Sequence, residues 1–131
     1  MSDSTGICTF CTMAEPYLCS NALAYAIEDR FPAAAGHSLI IPRRHILTMD
    51  ELLPEEAAAL FDLIKEAKAI IRRKYGADGY NIGINEGVAA GQTLMHLHIH
   101  IIPRRHGDVP DPRGGIRKVL PFRYRRHISP G

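Results

Sequence analysis

The stretch that most constrains this chain is Leu94–Arg104, LMHLHIHIIPR, in which His96, His98 and His100 alternate with Leu97, Ile99 and Ile101. Alternation at period two is the signature of a β-strand, whose successive side chains point to opposite faces. The reading is one strand with three imidazoles on one face, roughly 6.5 Å apart, and the aliphatic side chains in the core. Packing alone does not call for such a row, because every buried imidazole needs a hydrogen-bond partner. Histidine is a nucleophile, proton carrier and metal ligand near neutral pH, so the row points to a site.

The flanking segments supply the sheet and helix that this strand joins. Asn21–Glu28 and His37–Pro42 read as strands, connected through Asp29-Arg30-Phe31-Pro32, with Gly36 just ahead of the second. Pro54-Glu55-Glu56 places proline and acids in the first turn of a helix that runs to about Tyr75. Its apolar positions Ala57, Leu60, Phe61, Ile64, Ala67 and Ile71 follow helical spacing, Arg72-Arg73-Lys74 suit its negative end, and Gly76 supplies a cap. Gly79–Asn85 alternates Tyr80, Ile82 and Ile84 as a further strand. The glycine-rich Glu86–Thr93 then reads as the loop that joins this strand to the histidine strand in an antiparallel hairpin. Its glycines let backbone N–H groups approach an anion closely, in a spacing that is neither a Walker loop nor a dinucleotide fingerprint.

A chain of 131 residues is expected to form a single domain. Its net charge of +2 conceals a division: 8 Lys+Arg against 12 Asp+Glu through residue 102, then 8 against 2. The basic tail, irregular from about residue 104, has few interleaved aromatics for base stacking, so a solvated or phosphate-facing role is expected rather than nucleic-acid binding. No apolar run approaches the roughly 18 residues of a membrane span, and the opening MSDSTG has no leader-like pattern. Three cysteines, an odd number, fit a reducing compartment, so the expectation is a cytoplasmic protein that does not engage a membrane. Cys8-Thr9-Phe10-Cys11 is a CxxC pair with no strand ahead of it, which favours metal over thiol exchange and supplies half of a zinc site. Cys19 reads as a small, partly buried hydrophobe.

The run His96-Leu97-His98-Ile99-His100-Ile101-Ile102 resembles the signature of the histidine triad superfamily of nucleotide hydrolases and transferases. Asp29 with Pro32 and His37-Ser38-Leu39-Ile40-Ile41-Pro42 is similar to that family's ribose-binding acid and base-pocket strand, and Asn85-Glu86-Gly87 with Gly91-Gln92-Thr93 to its phosphate loop. The Cys8/Cys11 pair resembles a zinc-binding branch of the family. The resemblance implies an α+β fold with about five antiparallel strands, one long helix and a two-fold homodimer. It also implies a structural zinc on Cys8, Cys11, His45 and His96. The implied activity releases a nucleoside monophosphate, AMP in the first instance, from a substituted α-phosphate, as a nucleotide phosphoramidase or a dinucleoside polyphosphate hydrolase does. His98 would attack phosphorus to form a nucleotidyl-histidine. His100, Gln92 and Thr93 would hold the phosphate oxygens and bridging atom, His37 would orient the nucleophile, Asn85 and Gly91 would face the phosphate, and Asp29 would hold ribose hydroxyls. Thr93 keeps the hydroxyl where many relatives carry serine.

Two rival readings stay open at this stage. The strand histidines could hold a catalytic zinc, since HxH on a strand is also a metal-binding arrangement, or the protein could bind nucleotide without turnover. Single residues have plainer readings too: Asp29 as a turn former, His37 as an interior histidine, Gln92 and Thr93 as hairpin polar residues, His96 as a pocket residue rather than a zinc ligand. His106 and His127 read as surface or tail.

Overall fold

The computed structural model of the protein describes residues 8–120. Five strands form one antiparallel sheet: β1 (Cys19–Ser20), β2 (Ala24–Glu28), β3 (Ser38–Pro42), β4 (Gly79–Gly83) and β5 (Ile99–Arg104), in the order β1-β2-β3-β5-β4. Among the described residues the one α-helix is α1 (Pro54–Tyr75), which connects β3 to β4 with the bounds its sequence predicts. The α+β class and the five-stranded sheet agree with expectation as well.

Local chemistry explains the helix ends. Pro54 occupies the first turn, where its missing N–H costs nothing, and Glu56 Oε1 accepts the Leu53 N–H at 2.9 Å. Both Glu56 oxygens also accept from Arg44, at 2.7 and 3.0 Å, which ties the segment carrying His45 to the helix. At the other end the Gly76 N–H donates to Arg72 O at 2.9 Å with φ at 76°, a conformation that favours glycine.

One face of the sheet packs on α1. Leu60, Leu63, Ile64, Ala67 and Ile71 meet Ala24, Ala26, Ile40, Ile99 and Ile101, and each large aliphatic buried in this way contributes about 1.5–3 kcal/mol. Phe61, expected in that stripe, is 67% exposed, while Leu63 takes the core position. At about 100° per residue Phe61 falls roughly a quarter turn off the stripe through Leu60, Ile64, Ala67 and Ile71. The opposite face is shared. Tyr25, Leu39 and Ile41 pack with Phe10 from the N-terminal segment. Beside them His100 stands directly between Leu39 of β3 and Gly83 of β4, with Ile102 opposite Asn81. Directly opposed residues share a face, so the site is built on the side away from α1.

Several boundaries differ from expectation. The hydrogen-bonded histidine strand begins at Ile99 rather than Leu94, so His100 alone of the three histidines lies in the ladder. Pro42 ends β3 and has no N–H with which to extend the pairing. Its carbonyl instead accepts the His96 ring Nε2–H at 2.7 Å, and the Leu97 N–H turns to Ile46 O at 2.7 Å. β2 begins at Ala24 rather than Asn21, because Asn21 Oδ1 accepts the Leu23 and Ala24 N–H groups in a side-chain turn. The short β1 carries no period-two pattern, and β4 stops at Gly83 rather than Asn85. In the described part of the tail, Arg104 closes β5, and a 3-10 turn at Gly115–Val119 folds back over β4. His127 lies outside the described residues.

Candidate functional site

The site is best built from His96, which belongs to two clusters at once. The turn Cys8–Cys11 is closed by the Cys11 N–H, which donates to Cys8 O at 3.1 Å and approaches Cys8 Sγ at 3.4 Å. Cys8 Sγ lies 3.2 Å from His96 Nδ1, while Cys11 Sγ lies 3.5 Å from the same atom and 3.1 Å from His45 Nδ1. The four ligand atoms all sit within 4.8 Å of one another. Because the His96 Nε2–H donates to Pro42 O, its Nδ1 is left bare toward the sulfurs, the tautomer a metal ligand needs. Zinc takes thiolate at about 2.3 Å and imidazole at about 2.1 Å in a tetrahedron, and this donor set suits it with every position filled. Desolvation and the adjoining Cys8 thiol push Cys11 up to about 11, an effect a bound cation would reverse. Fully buried, His96 faces the cysteines and not the cavity described below.

The same residue's backbone sets up its neighbour. His98 is buried, and its Nδ1–H donates to His96 O at 2.8 Å, so the free lone pair is on Nε2. His100 is fixed the other way round. The Ala33 N–H donates to His37 Nδ1 at 2.9 Å, which puts the His37 proton on Nε2; that N–H donates to His100 Nδ1 at 3.0 Å and leaves an N–H on His100 Nε2. Two imidazoles with centroids 5.0 Å apart therefore present opposite functions, a lone pair on His98 and a donor on His100. Asp29 Oδ2 is 3.5 Å from His37 Nε2, and its Oδ1 accepts the Phe31 N–H at 3.0 Å. Burial, then the nearby His98 and His37 rings, hold His100 down to about 4. Burial also holds His37 below its ordinary value, with Asp29 opposing, so both rings are neutral at pH 7.

A cavity of about 330 Å³ opens beside these rings, lined by His37, His100, Asn85, Ile84, Ile116 and Val119 among others. Gly83 makes room for it: the residue paired with His100 has no side chain. The loop from Asn85 to Thr93 borders the site, with Gly91 in the left-handed region at φ 94°, which admits glycine most easily. Asn85 and Thr93 are exposed at its ends. Gln92 lies beneath this loop. It is buried, its Oε1 accepts the Gly87 N–H at 2.9 Å, and its Nε2 donates to Leu94 O at 3.2 Å and Leu47 O at 3.4 Å. The amide is thus engaged in bracing the loop from beneath.

The fold therefore brings Cys8, Cys11, His45 and His96 together as one cluster, and Asp29, His37, His98 and His100 as another, with Asn85, Gly91, Gln92 and Thr93 on the bordering loop. Residues not singled out from sequence also belong here. Phe10 packs edge-on against both His96 and His98, at centroid distances of 5.8 and 5.2 Å. Its place inside the CxxC was the available signal. Ile116 and Val119 reach the cavity because Gly114 and Gly115, at φ 89° and 44°, turn the chain back, and that glycine pair was the readable clue.

Among the described residues the three triad histidines do not converge as one metal-ligating group. Asp29, His37 and His100 have ligand atoms within 4.8 Å of one another. However, the Ala33 N–H on His37 Nδ1 keeps a proton on the nitrogen that a metal would need. Geometry favours a hydrogen-bond relay there over a catalytic zinc.

A family model described as HIT domain matches residues 14–107. The chain is 40% identical over 86 residues to the asymmetrical bis(5'-nucleosyl)-tetraphosphatase of Schizosaccharomyces pombe, covering 66% of this chain and 47% of that protein. It is 37% identical over 106 residues to the adenylylsulfatase HINT3 of Arabidopsis thaliana, covering 77% and 54%. The chain thus spans about half the length of these curated relatives. Among solved structures, a Zn-bound histidine triad family protein from Mycobacterium smegmatis superposes with a TM-score of 0.69 at 34% identity, covering 79% of this chain and 84% of that one.

Proposed function

The chain belongs to the HIT domain family, and on that premise we propose that it is a nucleotide hydrolase or transferase that forms a covalent nucleotidyl-histidine on His98. The observation that carries this reading is the opposed pair of tautomers. The lone pair of His98 Nε2 attacks the α-phosphorus, and the bond from phosphorus to the departing atom breaks with its electron pair. His100 Nε2–H donates to the phosphate or to the departing atom, where charge develops. Water then attacks phosphorus and gives up a proton to solvent, the phosphorus–nitrogen bond breaks with its electron pair returning to Nε2, and a nucleoside monophosphate, AMP in the first instance, leaves with the imidazole restored. Thr93, Asn85 and the backbone at Gly91 face the phosphate, and Asp29 accepts from ribose hydroxyls. Gln92 acts through the loop it braces, and His37 acts through His100.

The leaving group is an amine, as in a phosphoramidase, or a polyphosphate, as the name of the Schizosaccharomyces pombe relative suggests for that protein. Zinc on Cys8, Cys11, His45 and His96 is structural in this reading, since all four positions are filled by the chain. The enzyme works as a two-fold dimer: α1 presents Phe61 to solvent and β4 lies at the sheet edge. It works in the cytoplasm, without a membrane or nucleic-acid partner; no helix among the described residues is long and apolar enough to cross a membrane.

Rapid quench with a labelled adenylate, followed by peptide mapping, tests the chemistry. Label is expected on His98, and His98→Ala is expected to abolish turnover while still binding AMP. A wild-type protein that turns over without labelling His98 would overturn the mechanism, and one that binds AMP but leaves every adenylate intact would favour a binding protein. A monomer in sedimentation at micromolar concentration would remove the dimer.

A further inference from the structure

The sulfur–imidazole cluster and the nucleophile are in mechanical contact through two routes that the mechanism above does not use. The first is His96 itself. Its ring is held at both nitrogens, by Pro42 O on one side and by Cys8 and Cys11 on the other, and its carbonyl accepts the His98 Nδ1–H. The second is Phe10, one of the two residues between the cysteines. Only 4% of it is exposed; its carbonyl accepts the Tyr25 hydroxyl and its ring packs with Tyr25, Leu39 and Ile41. The Phe10 ring packs edge-on to His98, with centroids 5.2 Å apart and an interplanar angle of 66°, while the His100 ring centroid lies 5.0 Å from that of His98. The imidazole of His98 is thus held between Phe10 and His100, with its one anchored nitrogen on the carbonyl of a cluster residue.

We propose that Phe10 is a positioning residue for His98: the Cys8–Cys11 turn presses the Phe10 ring against the imidazole and, through His96, aims the carbonyl that holds its Nδ1–H, so that Nε2 is kept as the free, attacking nitrogen beside the His100 ring. This rests on His98 being the nucleophile. Fixing an attacking atom in a near-attack geometry is worth much of a catalytic barrier, so a loosened ring lowers the rate of chemistry more than the affinity for substrate. The role is one of orientation, since a phenyl ring has no group to exchange protons with the substrate.

Phe10→Leu keeps the apolar cluster filled and leaves all four sulfur and imidazole ligands in place, and Phe10→Ala deepens the change. In Phe10→Leu the metal content is expected to stay at the wild-type value. Its kcat is expected to fall ten- to a hundredfold with KM within twofold, and the single-turnover labelling of His98 to slow by the same factor as kcat. The nitrogen-15 spectrum of His98 is expected to move from one Nδ1–H tautomer to a mixture, and to do so in wild-type protein stripped of metal. Phe10→Leu with normal metal content, a wild-type labelling rate and a single His98 tautomer would overturn the proposal and leave the nucleophile assignment standing. Absence of label on His98 in the wild type would overturn both.

Discussion

His37 Nε2 lies 3.0 Å from His100 Nδ1 across 63 residues of sequence, and the direction of that hydrogen bond is set by a third group, the Ala33 N–H on His37 Nδ1. A backbone amide thereby decides which nitrogen of His100 carries a proton. His37→Gln keeps a donor near the position of Nε2 and is expected to retain most activity. His37→Asn offers no donor there and is expected to lose about tenfold in kcat, the worth of one hydrogen bond. Steady-state kinetics on the two variants decide it, and equal rates in both would show that the relay does not serve the reaction.

Stability is expected to fall on acidification in a defined window. His100 titrates at about 4 in the fold against 6.5 in the unfolded chain, because it is buried and faces His98 and His37, with Asp29 the opposing charge. The unfolded chain takes up the proton first, so this contribution is complete above about pH 6.5 and is lost as pH falls toward 4. His37, also depressed by burial, adds in the same direction. Urea midpoints between pH 7.5 and 4.5 measure the slope, and His100→Gln is expected to flatten it.

Zinc is expected to stabilise the folded chain by mass action, since its ligands come together only when the N-terminal turn, the segment after β3 and the approach to β5 meet. Chelation is expected to lower Tm, and Cys8→Ser to reduce both Tm and retained metal. A Tm that does not respond to zinc, in protein with both thiols reduced, would count against a structural ion.

Gly83 offers a test of the cavity. Its Cβ position has nothing nearer than Ile116 Cδ1 at 4.0 Å, so Gly83→Val adds side chain to open space opposite His100. The variant is expected to fold, keep its metal and raise KM at least tenfold while labelling His98 normally at saturation. An unchanged KM for a panel of adenylates would place their binding elsewhere.

Much of this architecture can be read from the chain. Proline and acids at one end and Gly76 at the other bound α1 because helix termini have their own local chemistry. The period-two run locates β5, but only its downstream half pairs, since a strand needs a partner with free N–H groups and β3 ends in Pro42. Phe61 falls outside the buried stripe because helical spacing admits several adjacent stripes, and which one is buried depends on the sheet it meets.

By itself the sequence determined which chemical groups were available: three alternating histidines, a CxxC pair, a glycine-rich loop, and the strands and helix to carry them. Residue types and periodicity are local properties, and local rules read them. Tertiary structure alone decided the division of labour among like groups. His96 turns to the sulfurs because Pro42 O takes its other nitrogen, His98 keeps its lone pair on Nε2 because its neighbour's carbonyl takes Nδ1, and His100 becomes a donor because of Ala33. An imidazole's tautomer is set by the partner that reaches it, and each of these partners, directly or for His100 through His37, traces to a backbone group whose direction exists only once the chain is folded.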